Sequence, residues 1–408
     1  MNEEVRIKLN QQFHIQETLI KAAFLFLTIY FCFSLTGIGN QSPLFKVILL
    51  LGLVCEFAAF IFNREIDLLH IVKYIPIILL IMCPIIYYMF FVKPVCDYDY
   101  ILLFSIVFIV LAGKVKAESL IKIAFYTKLA ICTMTIALNK LGVIESTYLY
   151  RDGIVRESIG FNHPNSLALI TLILTIEYMY LYFQRTNVIQ FTVLAAVNYY
   201  IYLVTLSRTS FYCALLIIVL FVLARYTTLL QKRFTQALMI SSLVVLAIIA
   251  IYLPYAYSVN SEFMTEMDYL LSNRLFMGNF YLETYGISLF GTPILQRIPY
   301  EYASGWVQIL LIDSAFIRII IQFGVIVFLL CGIWVLYRSI RMAKCGYLLE
   351  LSIVLVIFAY SLFESYTYNI FVFSVTLLLF ANEGKQLLAP VKIDNENQSI
   401  EYVTESEQ

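Results

Sequence analysis

Charge is scarce in this sequence, and so are histidine and tryptophan. Only 13% of its 408 residues are Asp, Glu, Lys or Arg, against 62% apolar. Soluble domains hold about half apolar residues. Such a chain cannot cover a water-facing surface, which excludes an ordinary soluble enzyme or binding module. Its mean hydropathy of +0.85 agrees. No basic stretch suited to nucleic acid occurs, so no nucleic-acid partner is expected. The eight cysteines, Cys32, Cys55, Cys83, Cys96, Cys132, Cys213, Cys331 and Cys345, are scattered. None forms a CxxC or a Cys/His cluster, which argues against a metal site or a disulfide framework. Most read as small hydrophobes of membrane spans. There is no HExxH, and "GTPILQ" at 291–296 lacks the spaced glycines and lysine of a phosphate loop. Nothing implies a metal or a cofactor. The polar start "MNEEVRIKLNQQFHIQ" shows no cleavage site, and no internal repeat of transporter type is apparent.

What the sequence does have is long apolar runs. Their length suits helices that cross a bilayer and not the short alternating strands of a barrel. About twelve spans are expected, near 18–36, 45–62, 74–92, 98–112, 119–138, 164–183, 189–206, 210–226, 236–255, 315–337, 348–363 and 367–382. Each must be helical, because lipid offers backbone groups no partners. The expected fold is therefore all-α and polytopic. A cytoplasmic N-terminal segment, 1–17, precedes the membrane domain, 18–382, and a polar tail, 383–408, follows it. Positive charge sets the orientation. Arg64, Lys73, Lys114, Lys116, Arg185, Arg225, Lys232, Arg233, Arg338, Arg341, Lys344 and Lys385 fall on the side of the N-terminus. That side is expected to be cytoplasmic, with both termini there, in the plasma membrane. Two larger loops, about 139–163 and 256–314, then lie outside. The second has room for short amphipathic helices.

The outer side carries arginines that topology alone does not explain: Arg151, Arg156, Arg208, Arg274 and Arg297. A guanidinium grips phosphate or carboxylate in a bidentate fork. For Arg151 and Arg297, solvated pairs with Asp152, Glu157, Asp268 or Glu301 are explanation enough. Arg208 lies in "TLSRTSFY", a very short turn between spans, where a charge must meet water, a partner or a ligand. Arg156 is seven residues before His163, and Arg274 sits in "LLSNRLFMGNFYL". Three convergent arginines would form an anion site suited to a diphosphate. His163 is the one histidine on this side, since His14 and His70 lie on the other. In "GFNHPN", Asn162 is a candidate helix cap and Pro164 suits the first turn. His163 would then stand where free backbone N–H groups favour an anion. It is a base, a hydrogen-bond donor, or only a companion of the cap. Asp313, with Arg318 five residues on, and Glu364 in "AYSLFESYTYN" complete the outer polar set. Glu177, deep in a span, reads as part of a structural network. Most of the tyrosines at span ends read as interfacial anchors.

At these residues the chain resembles the Wzy-type bacterial polysaccharide polymerases of the O-antigen ligase/polymerase superfamily. The similarity rests on "RESIGFNHPNSLA" at 156–168, "LSRTS" at 206–210, "SNRL" at 272–275 and "LIDSAFIRIIIQFG" at 311–324. It runs over nearly the whole membrane region. The resemblance implies a membrane glycosyltransferase without nucleotide sugar, metal or cofactor. Its donor and acceptor would be undecaprenyl-pyrophosphate-linked oligosaccharides. The hydroxyl of a new unit would attack the anomeric carbon of the growing chain, releasing undecaprenyl pyrophosphate. Arg208, Arg274 and His163 would be catalytic, and Arg156, Asn165, Asp313 and Glu364 would bind substrate. Membrane lipid, a flippase and a chain-length regulator would be its partners. The product would be capsule, exopolysaccharide or O-antigen.

Three other readings stand beside this one. A flippase for the same lipid-linked units needs similar contacts, but predicts polar residues spread through two related halves. A ligase of the same superfamily typically has its key histidine in the late outer loop, where this chain has none. A non-catalytic scaffold would leave the outer arginines without purpose.

Overall fold

A computed structural model describes residues 3–39, 43–62, 99–113, 115–151, 153–292, 294–295, 297–301, 307–381 and 384–385. The described chain is mostly helical. Its helices are α1 (Glu3–Phe33), α2 (Pro43–Ile61), α3 (Asp99–Leu111), α4 (Ala117–Lys140), α5 (Pro164–Leu181), α6 (Val188–Thr205) and α7 (Arg208–Tyr226). They continue as α8 (Arg233–Tyr255), α9 (Glu262–Leu270), α10 (Arg274–Tyr285), α11 (Ala315–Gln322), α12 (Gly324–Cys345) and α13 (Leu348–Ser361). Among the described residues, eight helices are long and apolar enough to span a membrane: α1 from His14, α2, α4, α5, α6, α7, α8 and α12. The chain is thus a multi-pass membrane protein with a helical frame. The run expected at 74–92 lies outside the described residues.

Burial separates the inner helix from the outer ones. In α5, 78% of the apolar window is buried, against 22% in α2, α6, α8 and α12. The four outer helices therefore leave most of their apolar surface for lipid. α5 is surrounded, packing on α4, α6 and α7. The "GFNHPN" stretch forms its N-terminus.

Four expected spans differ from simple crossings, among them the run at 348–363, which forms α13 of 14 residues, about 21 Å long. The run at 98–112 forms α3, of 13 residues. At 1.5 Å per residue it covers about 20 Å, short of a bilayer core of about 30 Å. The run at 315–337 breaks into α11 and α12. The break is at Gly324, whose φ is +86°. The Ser288–Thr292 loop is bonded across this break. Thr292 N–H donates to the Ile321 carbonyl, while Val325 and Ile326 N–H donate to the Ser288 and Leu289 carbonyls. A Cβ on Gly324 would fall 2.4 Å from Leu289 O and from Gly291 N. Glycine is required there by conformation and by space alike.

The run at 367–382 is not an α-helix. It holds two 3₁₀ segments, Ser365–Tyr368 and Ser374–Leu379, in a buried irregular path. Irregular backbone at membrane depth is tolerated only inside protein, where its polar groups find partners. Asn369 supplies two of these partners, its Oδ1 accepting from Phe371 and Val372 N–H. Ser105 of α3 accepts from Ile370 N–H. Phe371 is enclosed by Phe24, Phe31 and Phe108. Below it, Lys128 of α4 and Ser374 both bond Glu177 of α5, with Lys128 and Glu177 wholly buried. Glu177 is thus joined in a network, as its position in the sequence suggests.

The two long loops are structured. The first contains an antiparallel hairpin of β1 (Tyr148–Arg151) and β2 (Ile154–Glu157), with Leu149 opposite Arg156. The second holds α9 and α10, then a hairpin of β3 (Arg297–Glu301) and β4 (Val307–Leu311). It has its own small core, in which Tyr281 and Leu282 of α10 meet Ile317, Ile320 and Ile321 of α11. This core ties the segment carrying Arg274 to the one carrying Asp313.

Candidate functional site

The site is assembled where α5 begins, α6 turns into α7, and the second loop folds back. In "SIGFNHPN", Ile159 and Gly160 both take positive φ, +45° and +82°. A Cβ on Gly160 would press within 3.0 Å of the Asn139 side chain. The turn is pinned to the end of α1 by Gly37 N–H on the Gly160 carbonyl and Asn162 N–H on the Leu35 carbonyl. Asn162 is not the helix cap. Its amide donates to the Ser34 carbonyl and its Oδ1 accepts from Ser166. The cap is His163 itself. Its Nδ1 accepts from Asn165 N–H at 3.0 Å, and Pro164 takes the first helical position.

That bond decides what the imidazole can do. A backbone N–H is always a donor, so Nδ1 must carry the lone pair. A neutral ring then holds its proton on Nε2 and presents a donor. Burial, reinforced by the Arg156 guanidinium, pulls the imidazole down to about 4. His163 is therefore neutral near pH 7 and poised to donate through Nε2. As a base it would first have to give up its cap.

Arg156 is delivered by β2 and is buried. Its Nε donates to the Thr205 carbonyl at the end of α6, and a terminal nitrogen donates to Asn165 Oδ1. Asn165 thus joins His163 to Arg156. Leu206, with φ +49°, ends α6 and turns the chain so that Arg208 opens α7. Arg208 donates to the Leu270 carbonyl at 3.2 Å, linking the α6–α7 turn to α9.

Arg274 is the hub of the second half. It opens α10 after two left-handed residues, Ser272 and Asn273, with φ of +65° and +63°. Asp268, buried, accepts from Leu275 and Phe276 N–H and so anchors this helix start. Arg274 reaches Glu364 at 2.7 Å, lies 3.8 Å from Asp313, and bonds Thr209 beside Arg208. The Asp313 approach is a charge contact, too long for a hydrogen bond. The guanidinium also stacks 5.5 Å over Phe363. Arg318 has other partners. It donates to the Ile312 carbonyl and to Tyr368, and acts on Asp313 through its charge.

The two halves share an electrostatic field. Burial lifts the Glu364 carboxyl to about 7; Arg274 and Arg156 oppose this, and Asp313 adds to it. Burial also raises Asp313, against Arg274 and Arg318. Arg156, His163, Asn165, Arg208, Arg274, Asp313 and Glu364 are therefore brought to one end of the bundle. Arg151 and Arg297 lie in β1 and β3, and their side chains fall outside the described set. Sequence reading missed Thr209, Asp268 as an anchor, and Phe363. Asp268 had a usable signal, an acid shortly before a helix start. Phe363 had none.

At the other end, Arg225 packs on Phe183 and bonds Gln184, and Lys385 bridges Glu118 and Tyr180. A cavity of about 590 Å³ opens there, lined by Lys116, Glu118, Tyr180 and Lys385, away from the arginine cluster. Among the described residues, no group of three or more His, Cys, Asp and Glu is placed to hold a metal. No known family model, curated protein or solved structure matches the chain.

Proposed function

We propose that the protein is a membrane glycosyltransferase that polymerises undecaprenyl-pyrophosphate-linked oligosaccharides on the outer face of the cytoplasmic membrane. The observation that carries this reading is the cluster of Arg156, Arg208 and Arg274 around the N-terminus of α5, with His163 beside it. Three guanidinium groups at a bundle end suit a diphosphate held at the membrane surface by its lipid tail. They would neutralise the charge that develops on a departing pyrophosphate. His163 would orient a sugar hydroxyl or a phosphate oxygen through Nε2–H, and Asn165 would hold the imidazole and Arg156 in register. Asp313 and Glu364 would set Arg274 and meet sugar hydroxyls. The basic residues at the opposite end support an outward-facing site, since cytoplasmic ends collect Lys and Arg.

The test is reconstitution of the full chain in liposomes with purified lipid-linked repeat units. Polymer length and released undecaprenyl pyrophosphate are measured. Wild type is expected to yield both. Arg208→Lys keeps the charge and loses the fork, and is expected to lose at least about tenfold in kcat/KM, the equivalent of about 1.4 kcal/mol. Polymerisation unchanged in Arg208→Lys counts against bidentate phosphate binding. One observation favours a second reading, a transporter of the same units. The buried irregular path at 365–379 resembles the discontinuous segments that transporters place in their cores. Movement of lipid-linked units across the bilayer without polymer would favour that reading.

A further inference from the structure

The reaction proposed above needs a group to take the proton of the attacking hydroxyl. The obvious candidate is His163, and its geometry disfavours that role. Nδ1 is occupied by Asn165 N–H, and the free nitrogen of a neutral ring carries hydrogen. Arg156 beside it makes further protonation harder. A different acceptor must lie within the same cluster.

Resting on that functional reading, we infer that Glu364 is the general base, and that His163 is the donor that aims the acceptor sugar at it. Glu364 stands at the turn after α13, between the two halves of the arginine cluster. Its Oε1 takes Arg274 at 2.7 Å, and its side chain keeps 10% of its surface open. Among the described residues no side chain is bonded to Oε2, so this oxygen is available to a hydroxyl. The charged and titratable groups facing it are Arg274 from α10, Asp313 before α11, Arg156 from β2, and Tyr360 and Cys213 from α13 and α7. Two cations and a second acid surround it. A carboxyl lifted to about 7 by burial is ionised in useful amount near neutrality and basic enough to hold a proton. Asp313 is a weaker candidate. Its approach to Arg274, at 3.8 Å, is too long for a hydrogen bond, so that guanidinium does not aim its carboxylate as it aims that of Glu364.

The step balances without a further reactant. The acceptor hydroxyl gives its proton to Glu364 Oε2. Its oxygen forms the new bond to the anomeric carbon as the bond from that carbon to the pyrophosphate oxygen breaks. The electron pair leaves with undecaprenyl pyrophosphate, whose charge the arginines receive. The carboxyl then returns its proton to water. A single displacement inverts the anomeric centre.

The experiment uses the full chain in liposomes with purified lipid-linked repeat units. Single-turnover rates and KM are measured from pH 5 to 9 for wild type, Glu364→Gln, Glu364→Ala and His163→Asn. Binding of undecaprenyl pyrophosphate is measured in parallel. Wild type is expected to lose rate as pH falls through about 7. Glu364→Gln still accepts from Arg274. It is expected to bind the lipid diphosphate within a few-fold of wild type, to lose about 10²–10⁴ of the rate, and to show no acid limb. Formate is expected to restore part of the Glu364→Ala rate. His163→Asn should keep the acid limb and raise KM. The inference is overturned if Glu364→Gln stays within fivefold of wild type, if its loss lies in KM alone, if its acid limb persists, or if the linkage forms with retention. Wild type that forms no polymer at any pH overturns the polymerase reading itself, a distinct result.

Discussion

His163 and Glu364 titrate in opposite senses, which gives the site a signature at the level of single residues. The imidazole ordinarily titrates at 6.5 and is held at about 4 in the folded chain, by burial and then by Arg156. The unfolded chain binds the extra proton between these values. Its contribution to stability is therefore present above pH 6.5 and is lost as pH falls towards 4. Glu364 ordinarily titrates at 4.5 and is held at about 7, by burial and by Asp313 against two arginines. Here the folded chain binds the extra proton. Its contribution is complete below pH 4.5 and is lost as pH rises through 7. In wild type the two slopes offset each other. With His163→Asn, a side chain that still caps a helix, the unfolding midpoint in detergent should rise on acidification from pH 7 to 4.5. With Glu364→Gln it should fall on acidification from 6.5 to 4. Taking the difference between the two variants cancels the groups they share. Parallel profiles would show that neither environment is as described. The same residues mark what sequence reading could reach. A lone histidine between glycine and proline pointed to a helix start. That Nδ1 itself makes the cap could not be read, because it depends on the turn at Ile159 and Gly160 and on their bonds to the end of α1.

At the scale of elements, the position of Arg274 depends on how α10 starts. Two left-handed residues leave its first amides pointing back at α9, and Asp268 collects two of them. Removing that carboxylate leaves both N–H groups without their acceptor. Asp268→Ala should cost about 1–2 kcal/mol, and should loosen Arg274 from Glu364 and Thr209. Asp268→Asn retains an acceptor oxygen and should lose roughly half as much. The comparison is made by thermal unfolding together with binding of undecaprenyl pyrophosphate. Equal behaviour of the two variants would refute the anchoring role. The elements also show the limits of hydropathy. Seven runs read as spans became membrane-length helices along their expected course, because length and apolarity suffice to specify them. The run at 315–337 broke because one glycine and one distant loop meet at residue 324, a tertiary event. The run at 367–382 reads as apolar as a helix does. Its irregular path is stabilised by Ser105, Cys32 and Glu177, none of which is near in sequence. Short polar residues such as Asn369, Ser374 and Thr376 were the visible hint, since their side chains compete for backbone groups.

At the scale of the whole molecule, Lys128, Glu177 and Ser374 fasten α4, the central helix and the irregular C-terminal segment to one another. Charges buried this deeply are costly, and a pair repays the cost only while both partners remain. Lys128→Met should therefore cost about 3–5 kcal/mol, by leaving Glu177 with only Ser374. The double substitution Lys128→Met/Glu177→Leu should recover most of that loss, since an apolar pair of similar volume needs no compensation. Unfolding midpoints for the four members of the cycle measure the coupling. The same cycle separates the two functional readings. Glu177 lies fourteen residues beyond His163 on α5, about 21 Å along the helix. If polymer synthesis at the arginine cluster is the activity, the folded double variant should retain it within a few-fold per molecule. If the pair is instead part of a transport path through the bundle, the double variant should stay folded and yet lose transfer of lipid-linked units across the bilayer. A stable, inactive double variant would move the functional centre from the bundle's end to its middle.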